Sequence, residues 1–298
     1  MNENTKIKTN CLPLFYHIPK NSGTYVYNCL LKSARTIDPV NTRVIRVFSE
    51  EKWNIAKLIV FNDDIFLKKL GKFATFNNSK VVLDLNIEDL TLKILKGVTL
   101  HSVFIEGRGF RLTGTLLEPL LKFLNKLDLY KFIILRDPFS REQSLYHYLT
   151  SDKSKHEQTH GRLVSPSFRE HVMSNQLQDS WLIRNLVNIP NGIVLTEEHL
   201  NGAVEILESF NKYDAKDTDK ALDDVLLKCF NIENFNKEDL KDRKNDNVYK
   251  KMRFKDLTHA ERKTFQKKKY LDNALYSNSV IIPPPGITKD IFMPKKNL

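Results

Sequence analysis

Residues 15–31 read FYHIPKNSGTYVYNCLL. An apolar run ends at Pro19 and Lys20, a small polar turn carrying Gly23 follows, and apolar residues then recur at helical spacing. With the residues before it, LPLFYHI at 12–18 is short and rich in β-formers, which predicts a buried strand. Residues 23–36 predict a helix. A strand, a tight turn and a helix N-terminus form the usual anion cradle of α/β proteins. The first amides of the helix have no intrahelical acceptor, and the helix dipole favours negative charge there. Gly23 would admit a phosphate closely, Ser22 and Thr24 add hydroxyl donors, and Lys20 adds a cation. The nucleotide-hydrolase loop G-x-x-x-x-G-K-[ST] is not present, because here the lysine precedes the glycine and the first glycine is missing. An ordinary strand-to-helix turn is the plainer reading of this stretch taken alone.

Further along, TRVIRVFS at 42–49 alternates apolar and polar residues as a strand does, and HSVFIEG at 101–107 reads as a strand ending at a glycine. KVVLDLN is a further strand candidate, within a stretch (50–98) of mixed signals. TLLEPLLKFLNKL at 115–127 has helical spacing, with Pro119 near its first turn. YKFIILRD at 130–137 is a strongly apolar strand stopped by Asp137-Pro138, and FSREQSLYHYL then opens a helix. Short buried strands alternating with helices indicate an α/β fold with a central, mainly parallel sheet. The C-terminal half reads as mostly helical. Capping boxes are expected at Ser167–Glu170 and Thr258–Glu261. GIVLTEE at 192–198 reads as one more strand, followed by a helix over 198–212. The last long helix ends before IIPPPG. No repeat or linker is visible, so a single domain over 1–298 is expected, with its core at about 12–280 and polar tails.

The chain has 298 residues, and its hydrophobic content of 41% suffices for a real core. Lys+Arg total 47 against 36 Asp+Glu, a net charge of +11, which draws anions. A lysine-rich solvated surface is the bland account of that charge. Cys11, Cys29 and Cys229 are too few and too scattered for a disulfide framework or a zinc site. The polar start MNENTKIKTN has no apolar core of a signal peptide, and no run reaches membrane-span length. A reducing, cytoplasmic setting is therefore expected, or the Golgi lumen for a truncated chain. Asp63 and Asp64 read as an exposed turn rather than a metal pair, and no metal is expected.

ILRDPFSREQSLYHYL brings Arg136 to the end of the fourth predicted strand. Strand carboxyl ends line the ligand crevice of open α/β sheets. Arg141 and Ser144 follow three apart, on one helix face. An arginine fork with a serine hydroxyl suits a second phosphate. A structural Arg136–Asp137 ion pair is the competing reading.

HIPKNSGT and LRDPFSREQSLY together resemble the two cofactor signatures of the sulfotransferases that use 3′-phosphoadenosine 5′-phosphosulfate (PAPS). HIPK with RDPxxRxxSxY looks most like the carbohydrate branch, which holds the heparan sulfate 2-O- and 6-O-sulfotransferases. IEGRGF, VLTEEHLNGAVEIL and KKKYLDNALYSNS are fainter echoes of the same family. The likeness extends over most of 12–280. It implies a P-loop-like three-layer fold, with helices on both sides of the sheet.

The resemblance assigns the 5′-phosphosulfate to Lys20, Asn21, Ser22, Gly23, Thr24 and Tyr25, with Lys20 on the bridging oxygen. It assigns the 3′-phosphate to Arg136 and Ser144. Lys250, Lys251 and Arg253, in the basic run NVYKKMRFKD, match the loop that closes over the nucleotide, although a solvated charge run reads the same way. The family histidine before the RDP strand is replaced here by Arg108, two residues after Glu106. Glu106 is therefore the first candidate base, His101 the second and His17 the third. Arg108 would then bind an anionic acceptor. Gln178, Trp181 and Arg184 match acceptor-facing positions, with Trp181 also a natural core residue. The implied reaction moves a sulfuryl group from PAPS to a carbohydrate hydroxyl and releases 3′-phosphoadenosine 5′-phosphate (PAP).

Two rival classes remain in view. A kinase with a degenerate phosphate loop would need a magnesium-binding carboxylate after a strand, and no convincing one is present. A basic nucleic-acid-binding protein would need a basic stripe with interleaved aromatics. RFKDLTHAERKTFQKKKYL comes closest, and an amphipathic surface helix explains it equally well.

Overall fold

The computed structural model describes residues 11–18, 20–37, 42–50, 55–60, 74–77, 80–83, 99–106, 128–150, 165–174, 181–187, 194–238 and 251–277. The chain divides into two compact units. One is Met1–Ile134 with Ser209–Lys244, and the other is Leu135–Glu208 with Asn245–Leu298.

The first unit is built on a sheet. Its strands are β1 (Leu12–His17), β2 (Thr42–Glu50), β3 (Ile55–Val60), β6 (Thr99–Glu106), β7 (Leu129–Leu135) and β8 (Asn211–Asp214), in the order β3-β2-β6-β1-β7-β8. A separate antiparallel pair, β4 (Ala74–Asn77) and β5 (Lys80–Leu83), accompanies it. β2, β6, β1 and β7 run parallel, and β3 is antiparallel to β2. The fold is α/β, as the alternation of strands and helices indicates. β1 is buried along its whole length, as a central parallel strand covered on both faces must be.

Two helices cover one of those faces. α1 (Gly23–Ile37) presents Val26, Cys29, Leu30 and Ala34 to the sheet. α6 (Thr218–Phe230) presents Ala221, Leu222, Val225 and Leu226. Both pack onto Phe15, Phe132 and Ile134. The Phe15 and Phe132 rings lie 4.9 Å apart, within the range where aromatic pairs add about 1 kcal/mol beyond area burial. α6 ends at Asn231, which takes the left-handed conformation at φ 56 and φ-shifts the chain out of the helix, while its amide still bonds to Leu227.

The second unit is helical: α2 (Pro138–Thr150), α3 (Phe168–Met173), α4 (Trp181–Leu186), α5 (Glu197–Glu208) and α7 (His259–Ser277). Phe139, Tyr146, Phe168, Val172, Leu257 and Phe265 form its core, with Met252 and Phe254 packed against them. The box expected at Thr258–Glu261 forms, and at Ser167–Glu170 only the serine half does, since Glu170 Oε1 takes the Ser167 hydroxyl at 3.1 Å rather than its backbone amide. Glu261 N–H donates to the Thr258 hydroxyl at 3.3 Å and the Thr258 amide donates to the Glu261 carboxylate at 2.6 Å. The Glu170 amide donates to Ser167 Oγ at 3.2 Å. Among the described residues, no helix is long and apolar enough to cross a membrane.

The strand expected at 192–198 does not form over its described part. Val194, Leu195 and Thr196 lie outside any strand, and Thr196 caps α5 instead. Its amide donates to His199 Nδ1 at 3.1 Å, and the Leu200 amide bonds back to the Thr196 carbonyl at 3.2 Å. The helix expected over 198–212 ends at Glu208, and Asn211–Asp214 joins the sheet as β8. That segment, NKYD, has none of the apolar alternation of a core strand. It is an edge strand, where polar side chains are tolerated and discourage further pairing. The helical candidate at 115–127, Asp63-Asp64 and IIPPPG lie outside the described residues.

Candidate functional site

In the first unit, the chain leaves β1 for α1 and then β2 on one side, and enters β7 on the other. The carboxyl end of β1 is thus where strand order reverses, the position at which open α/β sheets form ligand crevices. The turn Lys20–Ser22 sits there. Lys20 and Ser22 both take left-handed backbone, at φ 71 and φ 60, which is uncommon for residues with a side chain. The Asn21 amide bonds to the Ile18 carbonyl at 3.2 Å, closing the turn. The Val26 amide bonds to the Ser22 carbonyl at 3.1 Å, so Ser22 stands at the cap of α1. The amides of Gly23 and Thr24 then fall in the first turn, where the helix itself offers no acceptor.

Asn21 is almost fully buried, and its Nδ2 donates to the Ile134 carbonyl at 3.0 Å. This bond ties the turn to the carboxyl end of β7. Besides Asn21, two more of the expected cofactor residues, Tyr25 and Gly23, are engaged in this architecture. Tyr25 is buried, and its hydroxyl donates to Asp219 Oδ1 at 2.6 Å, so the turn's helix is latched to α6. Burial, then the Asp219 carboxylate, push the Tyr25 phenol well above its ordinary range. At Gly23, a Cβ would overlap the imidazole of His17. The missing side chain makes room for that ring, rather than standing open to a ligand. His17 is itself buried, with the Phe15 ring 5.9 Å away.

The candidate bases occupy different levels of the sheet. Glu106 is the last residue of β6 and pairs in register with His17 on β1. Both backbones therefore reach the same edge as the Lys20 turn. His101 lies on β6 five residues earlier, about 16 Å along the strand. It falls where the β2–β6 register shifts, between the pairs Arg43–Leu100 and Val44–Ser102. Arg108 lies outside the described residues.

In the second unit, Arg136 follows the last residue of β7 and is half-buried. Asp137 caps α2: its carboxylate accepts from the Phe139 amide at 3.1 Å and the Ser140 amide at 3.3 Å. Pro138 takes the first helical position, where its missing N–H costs nothing. The amino end of α2 thus already holds a negative charge, unlike that of α1. Ser144 is half-buried on α2. Gln143 Nε2 donates to the Met252 carbonyl at 3.3 Å, and the Phe254 ring meets Phe139 at 5.3 Å. These contacts bring the basic segment Lys251–Arg253 onto α2. Lys251 is exposed, and Arg253 pairs with Asp256 at 3.0 Å. Arg184 is buried in α4. Lys250 and Gln178 lie outside the described residues.

Arg141 does not share Ser144's setting. It is buried, its Nη2 meets Glu142 Oε2 at 2.7 Å, and its guanidinium lies over the Trp181 ring at 4.7 Å. Glu142 is fully buried and also meets Lys269 Nζ at 3.0 Å and His171 Nε2 at 3.0 Å. Burial alone would raise the Glu142 carboxyl, but Lys269, Arg141 and His171 outweigh it and hold the group well below the usual carboxylate range. Asp272, bonded to the Leu182 amide at 2.8 Å, is raised by burial, which the neighbouring cations only partly offset. Sequence reasoning passed over this buried ionic knot. Its members sit on α2, α3, α4 and α7, and charged residues on amphipathic helices read as solvent-facing unless the packing is known. No family model matches the chain, and no curated protein matches it.

Proposed function

We propose that the protein is a PAPS-dependent sulfotransferase acting on a carbohydrate hydroxyl. The observation that carries the reading is the turn after β1. It stands at the strand-order reversal, holds Lys20 and Ser22 in left-handed backbone, feeds the amides of Gly23 and Thr24 at the start of α1, and is tied by Asn21 to the end of β7. Arg136 of the second motif is the next-but-one residue after Ile134, the acceptor of that tie.

The donor set fits the group. A helix start with free amides, two hydroxyls and a lysine suits a phosphosulfate. Arg136 and Ser144 suit a separate phosphate monoester, with Lys251 and Arg253 beside α2 as added cations. The nucleotide supplies an activated sulfuryl group. The acceptor oxygen forms a bond to sulfur as the sulfur–oxygen bond to the 5′-phosphate breaks, and the electron pair of that bond stays on the phosphate oxygen. Lys20 stabilises this growing charge, which is larger in the transition state than in the ground state. Glu106, at the same sheet edge, takes the acceptor's proton. Arg108 serves an anionic acceptor, and Gln178 and Arg184 are the remaining acceptor candidates.

Titration calorimetry with PAP tests the cofactor class. Wild type binds, and Arg136→Ala loses roughly 1.5–3 kcal/mol of affinity, the worth of a hydrogen bond to a charged group. Transfer of labelled sulfate from PAPS to a panel of glycans then tests the reaction. Absence of PAP binding by wild type refutes the assignment.

A further inference from the structure

We propose that Cys11 and Cys229 form a reversible, peroxide-responsive disulfide that staples the amino end of β1 to the last turn of α6. The two residues are 218 apart in sequence, yet their sulfurs lie 3.3 Å apart. Both are free thiols. A disulfide needs about 2.05 Å between sulfurs, so the pair must close by little more than 1 Å. Cys29, the third thiol, is buried in α1, and burial pushes it up to about 12.

The two thiols of the pair are unequal. Cys11 is half-exposed at the rim of the core formed by β1, α1 and α6, whereas Cys229 is fully buried. Burial, then its contact with Cys11, push the Cys229 thiol up, so it does not react first. The Cys11 thiolate attacks hydrogen peroxide at oxygen. The O–O bond breaks, Cys11 becomes a sulfenic acid, and hydroxide leaves to take up the thiol proton as water. The Cys229 sulfur then attacks the Cys11 sulfur. The S–O bond breaks, and the departing hydroxyl leaves as water with the Cys229 proton. One peroxide is reduced, two thiols are oxidised and two waters form. Reduction by an external dithiol reverses the change.

The staple is remote from the turn at Lys20. β1 spans Leu12–His17 between them, a strand of roughly 20 Å. The bond therefore acts on stability rather than on the turn's chemistry. Closing so long a loop restricts the unfolded chain strongly, and a rise in Tm of roughly 10 °C is expected for a protein of this size.

The test treats the reduced full-length protein with hydrogen peroxide, blocks the remaining thiols by alkylation, and maps peptides without reduction. The expected result is a Cys11–Cys229 linked peptide, alkylated Cys29, a raised Tm, and full reversal by dithiothreitol. Cys11→Ser, at a half-exposed position that tolerates the change, abolishes both the link and the Tm rise. Sulfinic or sulfonic acid at Cys11 with Cys229 still alkylatable overturns the proposal. So does a link through Cys29, a dimer joined between chains, or an unchanged or lowered Tm in the linked protein.

Discussion

Replacing Gly23 with alanine probes the junction of β1 and α1 directly. Gly23 has no left-handed backbone to protect, so an alanine there meets no conformational penalty. On helix propensity alone, the change would stabilise the protein by roughly 0.5–1 kcal/mol. The added Cβ, however, overlaps the His17 imidazole. That ring is 7% exposed and backed by Phe15, so it has little room to retreat. Overpacking of this kind costs about 1–3 kcal/mol. The overlap wins, and Gly23→Ala should destabilise by about 1–2 kcal/mol. That corresponds to roughly 2–6 °C in Tm. His17→Ala removes the obstacle, so the double variant should recover most of the loss contributed by the alanine at 23. The coupling should be about 1–2 kcal/mol in a double-mutant cycle from urea melts followed by circular dichroism. A neutral or stabilising Gly23→Ala in the presence of His17, or a cycle additive to within about 0.3 kcal/mol, would refute the steric account.

Lys20 and Ser22 carry backbone strain at positions assigned to the donor. Lys20→Gly should relieve roughly 0.5–1 kcal/mol net, after the extra freedom of the unfolded chain is counted, while weakening PAP binding. Parallel melts and calorimetry check both signs, and a loss of stability would show that the lysine side chain outweighs the strain. The buried ionic knot sets an acid limit. A carboxylate held low in the fold stabilises it above the unfolded value, about pH 4.3 for glutamate, and that stabilisation drains away as pH falls below it. Asp272, raised in the fold, acts in the opposite sense and weakens the fold as pH rises through its unfolded value, about 3.9. Glu142→Gln should therefore cost about 3–5 kcal/mol at neutral pH, because Lys269 and Arg141 lose their partner, and should flatten the acid limb of a stability–pH curve. An unchanged acid limb in the variant would place the acid sensitivity elsewhere.

Local signals were strong where one short segment settles its own structure. The apolar run at 12–18, the small polar turn and the helical spacing after Gly23 predict β1, α1 and the loop between them without any distant partner. Asp137-Pro138 marks the start of α2, and the serine and threonine caps mark α3 and α7, because a cap is satisfied within a few residues. The α/β class follows from the order of such segments. β8 was illegible because a four-residue edge strand with a single β-former, Tyr213, owes its existence to β7, where the Tyr213 and Tyr130 hydroxyls meet at 2.7 Å. GIVLTEE misled for a related reason: Thr196 and His199 bond to each other as a helix start, and that local exchange of hydrogen bonds overrode the β-prone residues before it.

What the amino-acid order settled by itself is therefore the class of the fold and the strand, turn and helix at 12–37, since both rest on neighbours along the chain. Only tertiary packing decided how individual site residues are employed. Gly23 yields its space to His17, Tyr25 is latched to Asp219, Asn21 braces the turn against β7, and Arg141 turns to Glu142 and Trp181. Each of those partners is brought in from another strand or helix, or, for Glu142, held in place by groups on other helices. A side chain's burial and bonding depend on what the fold places beside it, and spacing along one segment carries no record of that.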